Sequence, residues 1–155
     1  MKSEITLEIE KALSKRFQGT GERYSSEICV SYVNGGKFES GIVDFVTSKH
    51  DFLDDIPKIT CYEIKVSYSD MKSEHGHTLV GDNNYYVLTK ELLEEIGEKN
   101  PNLIMGDMGI LVYKDGSLRQ VRDSKPGLLK RKLTIESRFR ILDQMLMRWQ
   151  NNRNN

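Results

Sequence analysis

Three charged residues lie inside segments that otherwise have the character of buried strands. Residues 59–68 are rich in apolar and β-branched side chains, yet they carry Glu63 and Lys65 at alternate positions. Asp44 interrupts a second such segment, residues 39–47. Because strand side chains alternate between the two faces of a sheet, Glu63 and Lys65 share one face. An unpaired charge is costly to bury, so the pattern indicates either a solvent-facing pair or a site whose ligand neutralises the acids.

A divalent cation is the ligand that suits two carboxylates. Mg²⁺ prefers oxygen ligands and usually takes only one or two protein carboxylates, with water completing its shell. Asp44 and Glu63 on neighbouring strands would converge on Mg²⁺ or Mn²⁺, and Lys65 beside the metal would orient a water or stabilise charge on a phosphate. The alternative is that Glu63 and Lys65 face solvent and Asp44 is an edge residue. The spacing of the three residues leaves both interpretations open.

Both segments resemble the PD-(D/E)xK nuclease superfamily, through IVDFV at 42–46 and YEIKVSYSD at 62–70. More narrowly, the sequence is similar to the MmcB-like group of DNA-repair proteins. In that group the second motif is followed by a polar stretch, a tyrosine-rich strand, a short helix and a glycine-led apolar strand. The corresponding pieces here are NNYYVL, ELLEEI and GILVY. The resemblance covers residues 4–115.

The resemblance implies an α/β fold with a restriction-endonuclease-like αβββαβ core, in which helices flank a mixed central sheet, plus a C-terminal helix. It also implies a metal-dependent DNA endonuclease that hydrolyses phosphodiesters in DNA repair, recombination or a mobile element. Asp44 and Glu63 would then be the metal ligands and Lys65 the catalytic lysine. The sequence departs from the pattern at Val43, where the superfamily is named for a proline, and at Tyr68, where the group usually has an arginine.

A glutamate from the first helix completes the site in many members of the superfamily. Three residues are candidates here: Glu4, Glu8 and Glu10. Glu8 is favoured because it lies at the edge of the apolar stripe of the helix. Asp70 is either part of the family signature or the cap of a short helix.

Two other functions are compatible with the sequence. The first is a non-catalytic DNA-binding or assembly module that keeps the nuclease fold without the activity. The second is a metal-dependent hydrolase of small molecules built on His75 and His77, whose H-x-H spacing occurs in metal sites. An imidazole in this segment could also act as a base beside Asp44 and Glu63.

The elements that would position these residues can be read from periodicity and turn signals. Helical spacing of apolar residues predicts a helix over 4–17 with Ser3 as its N-cap, and a short helix after Thr89. Alternation and the turn at 34–36 predict a hairpin. The expected strands are 25–33, 39–47, 59–68, 84–88 and 109–114, with a sixth over 118–122. A long amphipathic helix is expected from residue 127.

Charge is unevenly distributed along the chain. Residues 1–113 contain 12 Lys and Arg against 19 Asp and Glu, whereas residues 114–155 contain 11 against 4. A basic region of this kind is either a solvated helix or a surface for phosphates. The candidate contacts to a DNA backbone are Lys130, Arg131, Lys132, Arg138 and Arg140. The apolar stripe of the same helix, from Phe139 to Trp149, could serve a homodimer.

Length and composition fit a single domain of 155 residues. We expect a nuclease-like domain over 1–126, a basic helix over 127–150 that packs on it, and a frayed tail over 151–155. No apolar run is long enough to span a bilayer and no signal peptide is evident, so a cytoplasmic protein is expected. Cys29 and Cys61 form no disulfide framework or zinc motif and are expected to be free thiols.

Overall fold

A computed structural model describes residues 1–50, 56–74, 76–125 and 131–153, and for residues 131, 132 and 153 it describes the backbone alone. The elements follow in the order α1 (Glu4–Phe17), β1 (Arg23–Asn34), β2 (Lys37–Lys49), β3 (Lys58–Lys65), α2 (Tyr68–Lys72), β4 (Asn83–Thr89), α3 (Lys90–Lys99), β5 (Gly109–Lys114), β6 (Ser117–Arg122), β7 (Arg131–Lys132) and α4 (Ile135–Arg153). A short 3-10 helix, Pro101–Ile104, lies between α3 and β5.

The strands form one mixed sheet in the order β6-β5-β4-β3-β2-β1-β7. β1, β2 and β3 are antiparallel neighbours, whereas β3, β4 and β5 run parallel. The parallel part needs crossover connections, which α2 and α3 supply. The expected α/β class, with a mixed sheet, flanking helices and a C-terminal helix, is confirmed. Among the helices of the described residues, none is long and apolar enough to cross a membrane.

Three predicted element boundaries differ from the structure. The strand expected over 59–68 ends at Lys65, because the Ser67 side chain accepts the Asp70 amide hydrogen and starts α2. The terminal helix starts at Ile135, after the short β7, with the Thr134 hydroxyl accepting the Ser137 amide hydrogen. Its predicted start at residue 127 lies outside the described residues. The helix also continues through Arg153, so the tail that was expected to fray is helical to that residue.

Helices cover both faces of the sheet. On one face α1 packs Ile9, Leu13 and Phe17 against the middle strands, in a cluster that includes Phe45, Tyr62 and Val87. On the other face α4 and α3 lie over different halves of the sheet. Ile141 and Met145 of α4 pack over β1, β2 and Cys61. Leu92 and Ile96 of α3 pack over β4 and β5. The face of β3 that carries Glu63 and Lys65, for which one interpretation of the sequence was exposure to solvent, is therefore covered by protein.

The β1–β2 hairpin changes faces part of the way along its length. Tyr24 stacks on Phe45 in the α1-side cluster, but Ile28, four residues later, belongs to the α4-side cluster. In β2, Val43 and Phe45 likewise lie on opposite faces although they are two residues apart. The switch falls at Glu27, whose φ is +52°, a conformation that non-glycine residues rarely adopt. The register on either side is unchanged, so both strands switch together at Glu27 and Asp44.

Candidate functional site

Glu63 and Lys65 lie in the valley between α4 and α3. They share a face of β3 with Cys61, which belongs to the α4-side cluster. The neighbouring strand β4 places Tyr86 beside Glu63 in the parallel register, and Tyr86 belongs to the cluster under α3. The two charged side chains thus occupy the seam between two apolar clusters, next to the carboxyl end of β3. Ligand sites of α/β sheets are commonly found at this end of the strands.

Asp44 reaches Glu63 because β2 and β3 separate at this point. Their ladder runs from Lys49↔Lys58 to Phe45↔Tyr62 and then stops. The same register, continued by one residue, sets Asp44 opposite Glu63. Instead of a backbone partner, the Ile64 amide donates to Asp44 Oδ2 at 2.8 Å. The two carboxyl groups are neighbours, since the charge of Asp44 and a hydrogen bond with its side chain both raise the pKa of Glu63.

The strained residue beside Asp44 is fixed from both sides of the sheet. The Glu27 carboxylate forms an ion pair with Lys2 at 3.1 Å. The Glu27 backbone carbonyl accepts a hydrogen bond from the Arg148 guanidinium on α4. Bulges and strained residues are frequent next to functional sites, where they redirect a side chain. The sequence SSEICV contains no glycine or other sign of this conformation, so the switch was not predictable.

The Glu63 carboxyl group is fully buried and incompletely paired. Its exposed fraction is 0%, and Oε1 accepts the Thr78 amide hydrogen at 3.1 Å. Oε2 has no hydrogen-bond partner in the described part of the chain. Burial, and then the neighbouring Asp44 carboxylate, raise the pKa of Glu63 to about 9. The interpretation of Glu63 as a solvent-facing residue is therefore wrong.

Lys65 is also buried, with an exposed fraction of 2%. Its ammonium lies 3.6 Å from Asp70 Oδ1, at the first turn of α2. Asp70 is therefore an ionic partner of Lys65, while Ser67 is the side chain that caps α2. Gly76 leaves room for the ammonium, since a Cβ built there would lie 2.7 Å from Lys65 Nζ. Its φ of +70° also favours glycine.

Residues 76–80 cover the two charged side chains. Thr78 bonds Glu63 through its amide and packs against Gly41 of β2, where a Cβ would lie 2.7 Å from the Thr78 hydroxyl oxygen. Leu79 joins the cluster under α3, and Val80 joins the cluster under α4. The segment therefore bridges the valley and closes it. We call residues 76–80 the covering segment.

His77 fixes the covering segment to β4. Its Nε2 lies 2.7 Å from the Ser73 carbonyl oxygen and its Nδ1 lies 2.7 Å from the Tyr86 hydroxyl. A carbonyl only accepts, so Nε2 carries the proton and Nδ1 accepts from Tyr86. Burial, and then the charge of Lys65, lower the pKa of His77. His75, its companion in the predicted H-x-H pair, lies outside the described residues.

The structure does not bring Glu8 to the site. Glu8 Oε2 accepts a hydrogen bond from the Tyr113 hydroxyl of β5 at 2.9 Å, and α1 lies on the face opposite Glu63. Glu10 is the helix-one glutamate with a link toward Asp44, because Lys2 pairs with both Glu10 and Glu27. Glu8 was favoured because of the apolar stripe of α1. That stripe identifies the buried face of the helix, but it does not indicate on which side of the sheet Glu63 and Lys65 lie.

Of the five predicted phosphate contacts, the structure describes the side chains of Arg138 and Arg140. Arg138 is engaged with Asp82 through two hydrogen bonds of 2.7 Å, and its side chain is 14% exposed. Arg140 is exposed on α4. Lys130 lies outside the described residues, as do the side chains of Arg131 and Lys132. A cleft of about 1000 Å³ lies elsewhere, between Tyr24 on β1 and Trp149 on α4, and does not contain the facing carboxylates.

Among the described residues, no group of three or more His, Cys, Asp and Glu side chains is placed to hold a metal ion. The donors that face each other are the two carboxylates of Asp44 and Glu63. Magnesium sites commonly use one or two carboxylates and several waters, so two donors suit Mg²⁺ or Mn²⁺. Burial and the neighbouring Asp44 raise the pKa of Glu63, so a cation bound between the two groups would favour the ionised form of Glu63.

No family model matches the sequence, and neither does any curated protein. Among solved structures, SPO1766, a protein of unknown function from Silicibacter pomeroyi, is similar with a TM-score of 0.65 and 15% identity. The alignment covers 98% of this chain and 90% of that one. SSO0001 aligns with a TM-score of only 0.32 and 14% identity, over 91% of this chain and 57% of that one. The likeness to SPO1766 shows a shared fold.

Proposed function

We propose that the chain is a metal-dependent nuclease with a restriction-endonuclease-like core that hydrolyses phosphodiesters in DNA. The observation that supports this most directly is the facing pair of Asp44 and Glu63, with a buried and unpaired Glu63 Oε2 between two apolar clusters. Lys65 lies on the same strand face, two residues away. The element order α1-β1-β2-β3 followed by β4 is the order expected for such a core.

Asp44 and Glu63 would hold Mg²⁺ or Mn²⁺ through their carboxylate oxygens. A bound divalent ion supplies positive charge to a phosphate and lowers the pKa of water. The chain itself contributes the positions of its charges. The Ile64 amide orients Asp44, the Thr78 amide orients Glu63, and Asp70 holds the Lys65 ammonium at 3.6 Å. Lys65 then donates hydrogen bonds to the attacking water or to a phosphate oxygen.

Enclosure of the site favours a second candidate, the non-catalytic DNA-binding or assembly module. Glu63 and Lys65 are closed off by the covering segment, so a phosphodiester reaches them only if this segment moves. In a module without activity, the covering segment stays closed and the two charges serve only the packing of the valley. The two candidates differ in whether the closed site takes up metal.

The test is calorimetric titration of Mg²⁺ and Mn²⁺ into the intact protein, with nicking of plasmid and branched DNA followed in the same samples. We expect binding with release of a proton at neutral pH, because Glu63 must ionise to bind. Glu63→Gln should lose both binding and nicking, whereas Lys65→Ala should keep metal binding and lose nicking. Buffers of different ionisation enthalpy report the proton.

Matched controls are Glu98→Gln and Lys11→Ala, which make the same chemical changes on exposed helix surfaces. Both should behave as the unchanged protein. Metal binding that persists in Glu63→Gln would place the metal elsewhere. Absence of both binding and nicking in the unchanged protein would reject the nuclease and favour the non-catalytic module.

A further inference from the structure

The β1–β2 hairpin extends beyond the ladder that joins it to β3. β2 pairs with β3 only as far as Phe45, and toward the turn its strand partner among the described residues is β1 alone. Residues 35–40 are all exposed to solvent. Gly35 and Gly36 turn the chain with φ of +58° and +86°, so the hairpin ends in a narrow two-stranded ribbon. We call residues 33–40 the hairpin end.

An aromatic ring is exposed at the hairpin end. Phe38 is 83% exposed and lies opposite Val33 in the register with β1. Ile42, four residues along β2 and therefore on the same face, is 58% exposed. Tyr32 lies on the other face and is buried in the α4-side cluster, so the face that carries Phe38 is the one that α4 leaves open. The Phe38 ring thus contributes little to the core and is accessible to a partner.

Strand pairing brings basic residues to the hairpin end from a distant part of the sequence. The β1–β7 ladder sets Arg131 opposite Asn34 and Lys132 opposite Val33. Lys37 follows the turn and is exposed. Three basic residues therefore meet at one end of the sheet, beside an exposed aromatic ring, although two of them follow long after the hairpin in the chain.

This combination fits a nucleic acid better than a protein surface. Lysine is depleted in protein–protein interfaces, whereas phosphates attract lysine and arginine. The carboxylate of the hairpin end, Glu39, accepts a hydrogen bond from the Asn34 amide group at 3.2 Å and alternates to the face opposite Phe38. The major groove of DNA is wide enough for a two-stranded β-ribbon, and apolar side chains placed against the bases are common in proteins that bind a groove.

The hairpin end is within reach of a duplex held at the two carboxyl groups. Phe38 is six residues from Asp44 along β2, which at about 3.3 Å per residue is about 20 Å. Phosphates of one DNA strand are about 3.4 Å apart along the helix axis. The hairpin end would therefore contact the duplex about six nucleotides from a phosphate at Asp44 and Glu63.

We propose that the hairpin end enters a groove of double-stranded DNA, with Phe38 against the bases and Lys37, Arg131 and Lys132 on the flanking phosphates. The inference rests on the proposed function, because it takes DNA as the substrate, and it adds the surface that holds the duplex away from the site of hydrolysis. Phosphate contacts position a protein on the duplex without reading its sequence. The hairpin end therefore supplies affinity and orientation.

Fluorescence anisotropy of a labelled DNA duplex with the full chain in EDTA tests the surface, over about 50 to 200 mM salt. Lys37→Gln, Arg131→Gln and Lys132→Gln should each weaken binding and reduce the slope of log K against log salt by about 1. Lys11→Gln makes the same change as Lys37→Gln on the exposed surface of α1 and should leave the slope unchanged. Because EDTA removes the metal, Glu63→Gln should bind DNA as the unchanged protein does.

Phe38→Ala tests the aromatic contact. It should weaken binding by about tenfold and leave the salt slope unchanged, because the ring carries no charge. The matched control is Phe139→Ala, which removes a 68% exposed ring from α4 and should bind normally. Single-stranded DNA and duplex RNA should compete less well than duplex DNA, since a single strand has no groove and the major groove of RNA is too narrow.

Three results would overturn the proposal. They are the absence of DNA binding by the unchanged protein, a preference for single-stranded DNA, and binding that the hairpin-end variants leave intact while Phe139→Ala and Arg140→Gln reduce it. Failure of the nuclease gives a different result, in which binding depends on the hairpin end but no nicking occurs with Mg²⁺ or Mn²⁺. Nicking that the hairpin-end variants do not affect would reject this surface and retain the nuclease.

Discussion

Glu63 is the residue whose ionisation connects the fold to the proposed function. Its carboxyl group is buried, faces Asp44 and leaves Oε2 unpaired. A buried carboxylate without compensation is unfavourable, and the group responds by remaining protonated, with a pKa of about 9. The same group can become an anion when a cation takes up its charge. The free energy needed to bury the ionised Glu63 carboxylate is therefore the amount that a bound metal ion would offset.

Metal-free Glu63→Gln is expected to be more stable than the unchanged protein, increasingly so as pH rises. The folded pKa of Glu63 is raised above its usual value, so its contribution to stability is complete below about pH 4.5 and is lost as pH rises through about 9. The free energy of unfolding falls in that window by up to about 1.4 kcal/mol per pH unit. Glutamine has no such dependence.

Urea denaturation of both proteins from pH 5 to pH 9 measures the effect, with Glu98→Gln as the control for an exposed glutamate. The difference between Glu63→Gln and the unchanged protein should widen with pH, whereas Glu98→Gln should follow the unchanged protein. Parallel curves for all three proteins would show that Glu63 titrates normally.

At the residue scale, the alternation of the strand was enough to place Glu63 and Lys65 on one face, but it left open whether they meet Asp44 at a site or face solvent. Two contributions could not be predicted. The Thr78 amide and Gly76 reach the site only because the covering segment folds back over β3, and loop conformation leaves no periodic signal. The left-handed Glu27 occurs in an ordinary polar context, without the glycine or asparagine that usually marks such a position.

At the element scale, the covering segment decides whether the site is open. It is joined to both apolar clusters by Leu79 and Val80, and to β4 by the hydrogen bond between His77 and Tyr86. This bond lies on the face where α3 packs, so it connects the segment to the rigid part of the sheet. Weakening the bond should favour opening without removing any charged group of the site.

Tyr86→Phe removes the hydroxyl and keeps the ring. We expect faster hydrogen exchange at the Thr78 amide, by about fivefold to tenfold, since a hydrogen bond of this kind contributes about 1 kcal/mol to the closed state. Tyr113→Phe, which also loses a hydroxyl that donates to a side chain, is the matched control on the opposite face. Equal exchange in all three proteins would show that His77 and Tyr86 do not hold the segment.

The elements themselves were largely predictable, because most of them have local signals. Ser3 and Thr89 cap their helices as expected, and the hairpin turn falls at 35–36. The errors arose where a strong local pattern was overruled by a neighbouring side chain. Val66 and Tyr68 continue the alternation of β3, but the Ser67 cap begins a helix there. The terminal helix was expected from residue 127, but β7 pairs with β1 before α4 begins at Ile135.

At the scale of the whole molecule, α4 joins parts of the chain that are distant in sequence. Gln144 pairs with both the amide and the carbonyl of Cys29, at 3.0 and 2.8 Å, and so covers the open edge of β1. Arg138 pairs with Asp82, which also accepts the Ile59 amide hydrogen at 2.8 Å. The basic helix thus has a structural role. A count of its positive charges overestimates the number of side chains that could contact a nucleic acid.

Arg138→Lys should destabilise the protein by about 1–2 kcal/mol, because lysine cannot form the paired hydrogen bonds of a guanidinium. Burial pushes the pKa of Asp82 upward, but the hydrogen bonds from Arg138 and Ile59 outweigh it and lower the pKa. The stability supplied by Asp82 is therefore present at neutral pH and is lost as pH falls through its lowered pKa. The variant should show less of this acid sensitivity.

Chemical denaturation at neutral and acidic pH measures both effects. Lys90→Met removes a comparable but exposed ion pair with Glu94, at 3.8 Å, and should change stability by less than about 0.5 kcal/mol. If Arg138→Lys lowered the free energy of unfolding no more than Lys90→Met does, the pair with Asp82 would contribute no more than a surface contact.

The switch of faces in the β1–β2 hairpin has a consequence for how the molecule unfolds. Because Phe45 belongs to one core and Ile28 and Val43 to the other, a single pair of strands is shared by the two layers. Unfolding of either layer requires the hairpin to detach, and the remaining layer then loses the hairpin residues that pack in it. The two halves should therefore melt as one cooperative unit, with equal calorimetric and van't Hoff enthalpies.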